Sequence, residues 1–131
     1  MALDFLVLVA AFATSEGFFV PNSIPNVCNN PTDLRFAGQA GATPSQYGGS
    51  HPFAKFSTVG IGICAAVRQM CAYIQTGATL RTLVYTWAPP SDGNNSALYL
   101  SETIRRIKAA SGLEIDPDKR LEEYLAIVHI P

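Results

Sequence analysis

The sequence predicts an α+β fold, mainly α, in one domain over residues 1–131: an apolar N-terminal helix, a small β-hairpin lobe and four C-terminal helices. Three observations predict it. The run ALDFLVLVAAFA at residues 2–13 is apolar enough to be a buried helix, yet shorter than the ~20 residues a membrane-spanning helix needs. Val59, Ile63, Val67, Met70 and Ile74 recur at spacings of three and four, the stripe of an amphipathic helix. Between them, short extended pieces at Leu34 to Ala37 and Phe53 to Phe56 flank a glycine-rich excursion, the pattern of a hairpin-like lobe.

Each element has its punctuation. The N-terminal run carries Asp4 and no Lys or Arg ahead of it, which favours a helix of the mature protein over a secretory signal, although Ala11-Phe12-Ala13 has the form of a cleavage site. Gly17 stops that helix after Glu16, and Pro21 and Pro25 forbid its resumption. Residues 20–33 then form a loop in which Asn22, Asn26, Asn29 and Asn30 either hold turns through the backbone or present amides outward. Ser57 or Thr58 caps a helix reaching about Gln75, in which Gly62, Ala65 and Ala66 would let another helix approach closely. Thr79 caps Leu80 to Trp87, which Pro89-Pro90 ends. Asn95 or Ser96 opens the next helix, with Leu98, Tyr99, Ile104 and Ile107 facing inward and Gly112 closing it. A last helix is expected from Asp116 with Pro117 at its first position, burying Leu121, Tyr124, Leu125 and Val128.

Composition narrows the function. Nine basic against ten acidic residues give a formal charge of −1, so the chain lacks the electrostatic footprint of a nucleic-acid binder. Charged residues make up 15%, below the usual ~25%, so the surface should be rich in hydroxyl, amide and aromatic groups, a composition suited to sugars. The three cysteines form no CxxC pair and are read as buried or half-buried thiols. His51 beside Pro52 and His129 near the C-terminus suggest no metal site, and no cofactor is expected.

The chain is organised around Ser15 to Gln39, SEGFFVPNSIPNVCNNPTDLRFAGQ. Glu16 is the only acid between Asp4 and Asp33, and it is followed by Phe18, Phe19 and Val20. A carboxyl among such neighbours should be hard to ionise, because desolvation disfavours the charged form. That is the state a general acid needs near neutral pH. The plainer alternative makes Thr14 or Ser15 a cap and Glu16 an ordinary acid in a first helical turn.

The string EGFFVP…IP…NNP…LRF…GQ, then FAKF, then GIxxAVRQM, then YTWAPPSDGNNSALYL resembles a group of small phage and prophage proteins of the lysozyme-like superfamily, taken to be muramidases or lytic transglycosylases. The resemblance runs from Glu16 to the end of the chain. It implies a lysozyme-like fold with the catalytic Glu16 at the C-terminal end of a core helix, and peptidoglycan glycan strands as substrate. One Glu would protonate the leaving oxygen and then take a proton from water or from the muramic 6-hydroxyl. Most glycosidases use two carboxylates, and Asp33 is the candidate second acid. Where the related pattern reads NNPGNLR, this chain has Thr32 for Gly and Asp33 for Asn, which brings the turn geometry into question.

On this reading Asn30, Arg35 and Gln39 lie in the cleft, with Arg35 otherwise tying the loop to a carbonyl or to Asp33. Tyr47 and Phe53 line subsites, Phe36 and Phe53 being alternatively core, and Trp87 reaches a sugar or anchors the APP turn. The protein would act as a monomer on the bacterial cell wall, without stable membrane insertion and by an export route the sequence does not reveal. The competing class is a noncatalytic glycan-binding or virion structural protein on the same fold.

Overall fold

The computed structural model describes residues 2–125. Its elements are α1 (Phe5–Glu16), α2 (Ile24–Val27), β1 (Ala42–Pro44), β2 (Ala54–Phe56), α3 (Val59–Gln75), α4 (Leu80–Trp87), a 3-10 turn at Pro90–Asp92, α5 (Ser96–Ser111) and a second at Leu121–Tyr124. The described residues are thus mainly helical, with one two-stranded antiparallel sheet. Backbone proximity divides them into two compact units, residues 9–69 and residues 2–8 with 70–125.

In the unit of residues 9–69, β1 and β2 pair with Ala42 opposite Phe56, Thr43 opposite Lys55 and Pro44 opposite Ala54. The partner of the 54–56 segment is therefore 42–44, not the expected 34–37. Gly38 and Gly41, both at positive φ (75° and 76°), turn the chain so that 42–44 reaches the strand. Residues 34–36 keep a single bridge, Arg35 opposite Phe53, with Phe36 N donating to Pro52 O at 2.8 Å and Ala54 N to Leu34 O at 2.8 Å. Ala54, Phe56 and Ala65 form a buried cluster onto which Leu34, Ala42 and Ile61 pack.

Thr58 Oγ1 accepts from Ile61 N and so caps α3, as its sequence suggests. The first half of α3 buries its small residues Gly62, Ala65 and Ala66, while Val59, expected on the inner stripe, is 36% exposed. What lies against Gly62 is loop backbone, the Asn29 carbonyl and Pro31, and not the helix its sequence suggested.

In the other unit, α4 packs on α5. Thr79 and Thr82 form a reciprocal capping box at the start of α4. Asn95 caps α5 by accepting from Leu98 N, and Gly112 ends it at φ 75°. The buried face of α5 is Ser96, Tyr99, Leu100, Thr103 and Ile107, and Leu98, expected inside, is 53% exposed because it falls off that stripe. The α-helix expected from Asp116 is absent: residues 117–119 form turns and Leu121–Tyr124 a 3-10 turn. Backbone bonds from this segment go to α4 and its entry instead, with Pro117 O accepting from Arg81 N and Leu121 N donating to Ala78 O. Leu121 is buried there, whereas Val128 and His129 lie outside the described residues.

The interleaved charges of α5 and the tail form exposed ion pairs, Arg105 and Arg106 with Glu102, Lys108 with Glu114, Arg120 with Glu122 and Arg81 with Asp118. Such exposed pairs are screened by solvent and add little to stability, so they mark a solvated face and not a binding patch.

Candidate functional site

Helix α1 ends at Glu16, where Gly17 adopts φ 80° and reverses the chain. Phe18 N donates to Ala13 O at 3.0 Å and Gly17 N to Thr14 O at 3.2 Å, closing the helix end. Ser23 Oγ then donates to Gly17 O at 2.7 Å and Asn26 Nδ2 to Phe18 O at 3.1 Å, so the loop folds back on that end. Glu16 is half-buried at a helix C-terminus, which excludes the alternative of an acid in a first turn. Its apolar screen is thinner than the sequence suggested. Phe18 is half-buried against the edge of Phe19 at 5.2 Å, but Phe19 is 63% and Val20 59% exposed, because the tight turn at Gly17 directs them outward.

The loop from Cys28 to Leu34 is sewn onto one edge of β2. Cys28 O accepts from Phe56 N at 2.9 Å, and Asn29 Nδ2 donates to Phe56 O at 3.0 Å. Asn30, expected in the cleft, is fully buried. Its Nδ2 donates to Leu34 O and Ala54 O, and its Oδ1 accepts from Leu34 N, each at 2.9 Å. The amide therefore replaces the backbone partners this irregular segment would lack, and it presents no surface to a glycan.

Asp33 holds the left-handed conformation at φ 58°, a region that Asn and Asp tolerate better than most residues. The strained position in NPTD is thus 33 and not Thr32, which is buried. Burial pushes the Asp33 carboxyl up to about 6, with the nearby Arg35 charge opposing the shift. Its Oδ1 is buried with no hydrogen-bond partner among the described residues. Asp33 is therefore an acid whose proton exchange lies near neutral pH.

Arg35 lies with its guanidinium 3.8 Å from the centre of the Phe53 ring, and its Nη1 donates to His51 O at 2.7 Å. Of the two roles open to it, it ties the loop to a carbonyl. Phe53 is half-buried beneath it, and Phe36, whose alternative reading was core, is 36% exposed. Gln39 closes a local turn, Oε1 accepting from Ala37 N and Nε2 donating to Arg35 O. Gln39 also lines a cavity of about 740 Å³, whereas Tyr47 lines a second of about 240 Å³ with Cys28, Ser45 and Lys55. Of the expected subsite residues only Gln39 and Tyr47 line these cavities, one in each. Trp87 is half-buried as the last residue of α4, in the other unit.

The larger cavity rests on residues not expected in any site from the sequence, Thr58, Cys64, Arg68 and Gln69 on or before α3. The available signal was the run of small residues on α3, read there as room for a helix. Cys28 is buried and its thiol is pushed up by burial, against a hydrogen bond from Ser45 and the charge of Lys55. Cys64, expected at least half-buried, is exposed. Among the described residues no group of three or more His, Cys, Asp or Glu is placed to hold a metal ion, and no helix is long and apolar enough to cross a membrane. No family model, curated protein or solved structure matches this chain.

Proposed function

We propose that the protein cleaves the glycan strands of peptidoglycan at the β-1,4 bond between N-acetylmuramic acid and N-acetylglucosamine, with Glu16 as general acid and base. The observation that carries this is the place of Glu16, half-buried, as the last residue of an apolar helix at the reversal made by Gly17. Three residues further along the chain, the exposed ring of Phe19 offers a face on which a sugar can stack. In this mechanism protonated Glu16 gives its proton to the leaving glycosidic oxygen as the anomeric carbon becomes cationic. The resulting carboxylate then accepts a proton from the group that captures that carbon, either water or the muramic 6-hydroxyl.

Asp33 belongs to the same unit as Glu16 and is ionised above about pH 6. Its place on a strained, hydrogen-bonded loop favours a supporting charge over a covalent nucleophile. Mass spectrometry of purified peptidoglycan incubated with the protein tests the proposal. Released muropeptides with new anhydro or reducing ends, which differ by one water, support it, and binding without release supports a noncatalytic glycan-binding protein instead.

A further inference from the structure

The cavity of about 740 Å³ on α3 falls within the size range of small-molecule sites, ~300–1,000 Å³. One wall is a single face of α3, on which Ile61, Cys64 or Ala65, and Arg68 follow at helical spacing. The opposite wall is the 39–41 segment, where Gly41 sits so close to Ile61 that a β-carbon there would lie 2.7 Å from Ile61 Cγ2. The lining is mostly apolar, and its polar side chains include those of Gln39, Thr58, Arg68 and Gln69.

Its charge is one-sided. The lining contains Arg68 and no carboxylate. The ion pairs among the described residues occupy Arg81, Arg105, Arg106, Lys108 and Arg120, and Arg35 is held over Phe53. Arg68 has no such partner among the described residues, and it is exposed. A guanidinium at the mouth of an apolar-lined cavity, with an amide from the next residue, matches the geometry of a carboxylate. We propose that this cavity binds the free carboxylate of the peptide stem of peptidoglycan, with Arg68 as its counter-charge and Ile61 and Ala65 against the aliphatic part of the stem. The assignment rests on peptidoglycan being the substrate, and it places stem recognition on α3, separate from Glu16.

The test uses the intact chain and muramyl dipeptide, which carries one free carboxylate, beside the same compound with that carboxylate amidated. Cys64 is an exposed thiol on the cavity wall, so its alkylation by N-ethylmaleimide, located by peptide mapping, reports occupancy. Muramyl dipeptide at ten times its Kd should slow that alkylation about tenfold, since mass action leaves about one site in eleven empty. Amidation of the ligand and Arg68→Gln should each weaken binding about tenfold, as loss of one charge-assisted contact does. Combined, they should weaken it no further, because both remove the same contact.

Equal binding of the two ligands, or an Arg68→Gln variant that binds like the parent, overturns the assignment. So does alkylation of Cys64 that muramyl dipeptide leaves unchanged. Muramyl dipeptide contains a single sugar, so this outcome is independent of bond cleavage. Wall clearing that needs Glu16 without stem binding would overturn only the cavity, and stem binding without wall clearing would overturn only the glycosidase.

Discussion

A β-carbon built on Gly62 would lie 2.1 Å from the carbonyl oxygen of Asn29 and 3.0 Å from Pro31 Cδ. The loop that carries Asn30 and Asp33 is therefore seated directly on the backbone of α3, and only glycine permits that approach. The obstacle is backbone, which cannot swing aside as a side chain can. Gly62→Ala should cost about 2–3 kcal/mol through overpacking. Gly60→Ala, where the nearest atom is Thr58 Oγ1 at 3.9 Å, should instead stabilise by up to about 1 kcal/mol because alanine is the better helix former. Urea denaturation of the two variants checks the contrast, and equal effects would mean the loop is not held against α3.

Asn30 makes the same point through hydrogen bonds. Its buried amide serves Leu34 N, Leu34 O and Ala54 O, the last of them fully buried. Asn30→Ala should destabilise by about 2–4 kcal/mol, the range for leaving several buried polar groups unmatched. Binding of N-acetylglucosamine oligomers by folded Asn30→Ala, measured below its unfolding temperature, should match the parent. A loss of sugar affinity without a loss of stability would return Asn30 to the cleft.

Asp33 gives stability a dependence on pH. Its carboxyl is raised to about 6 in the fold, against ~3.9 in an unfolded chain, so the folded state holds its proton more tightly. The contribution is fully present below about pH 4 and is lost as pH rises through about 6. Two units would correspond to ~3 kcal/mol, and partial exposure reduces this to about 1–2 kcal/mol. Asp33→Asn should accordingly be more stable than the parent by that amount at pH 7.5 and equal to it or weaker at pH 4. The change in charge leaves φ 58° undisturbed, since Asn tolerates it. Denaturation at the two pH values checks the sign, and a variant less stable at pH 7.5 would contradict the burial of an unpaired carboxyl.

Three of the helices that the sequence announces by local chemistry are found where expected, and the one announced by Asp116 and Pro117 is not. Gly17 after an apolar run, Thr79 ahead of Leu80, and Asn95 with Gly112 each act within one helical turn, and α1, α4 and α5 begin or end at them. What was not legible depends on distant partners. Residues 34–37 keep only the bridge at Arg35 because Asn29 and Asn30 share that edge of β2 from across the chain, and 42–44 pair along its other edge. The tail after Asp116 gave up helical bonds for bonds to Ala78 and the start of α4, which no periodicity foretells. In the candidate site, the helix end at Glu16 was legible from Gly17. The cavity beside Arg68 was not, because Gly41 and Ile61 meet only after the lobe has folded.

Release of soluble muropeptides from purified peptidoglycan by the parent and by Glu16→Gln is the most direct measurement, with urea denaturation of both as the control on folding. The two should unfold at similar urea concentrations, while Glu16→Gln should release material at least ~10²-fold more slowly, the scale set by loss of a general acid. A folded Glu16→Gln variant that digests the wall at the parental rate would contradict the role assigned to the end of α1.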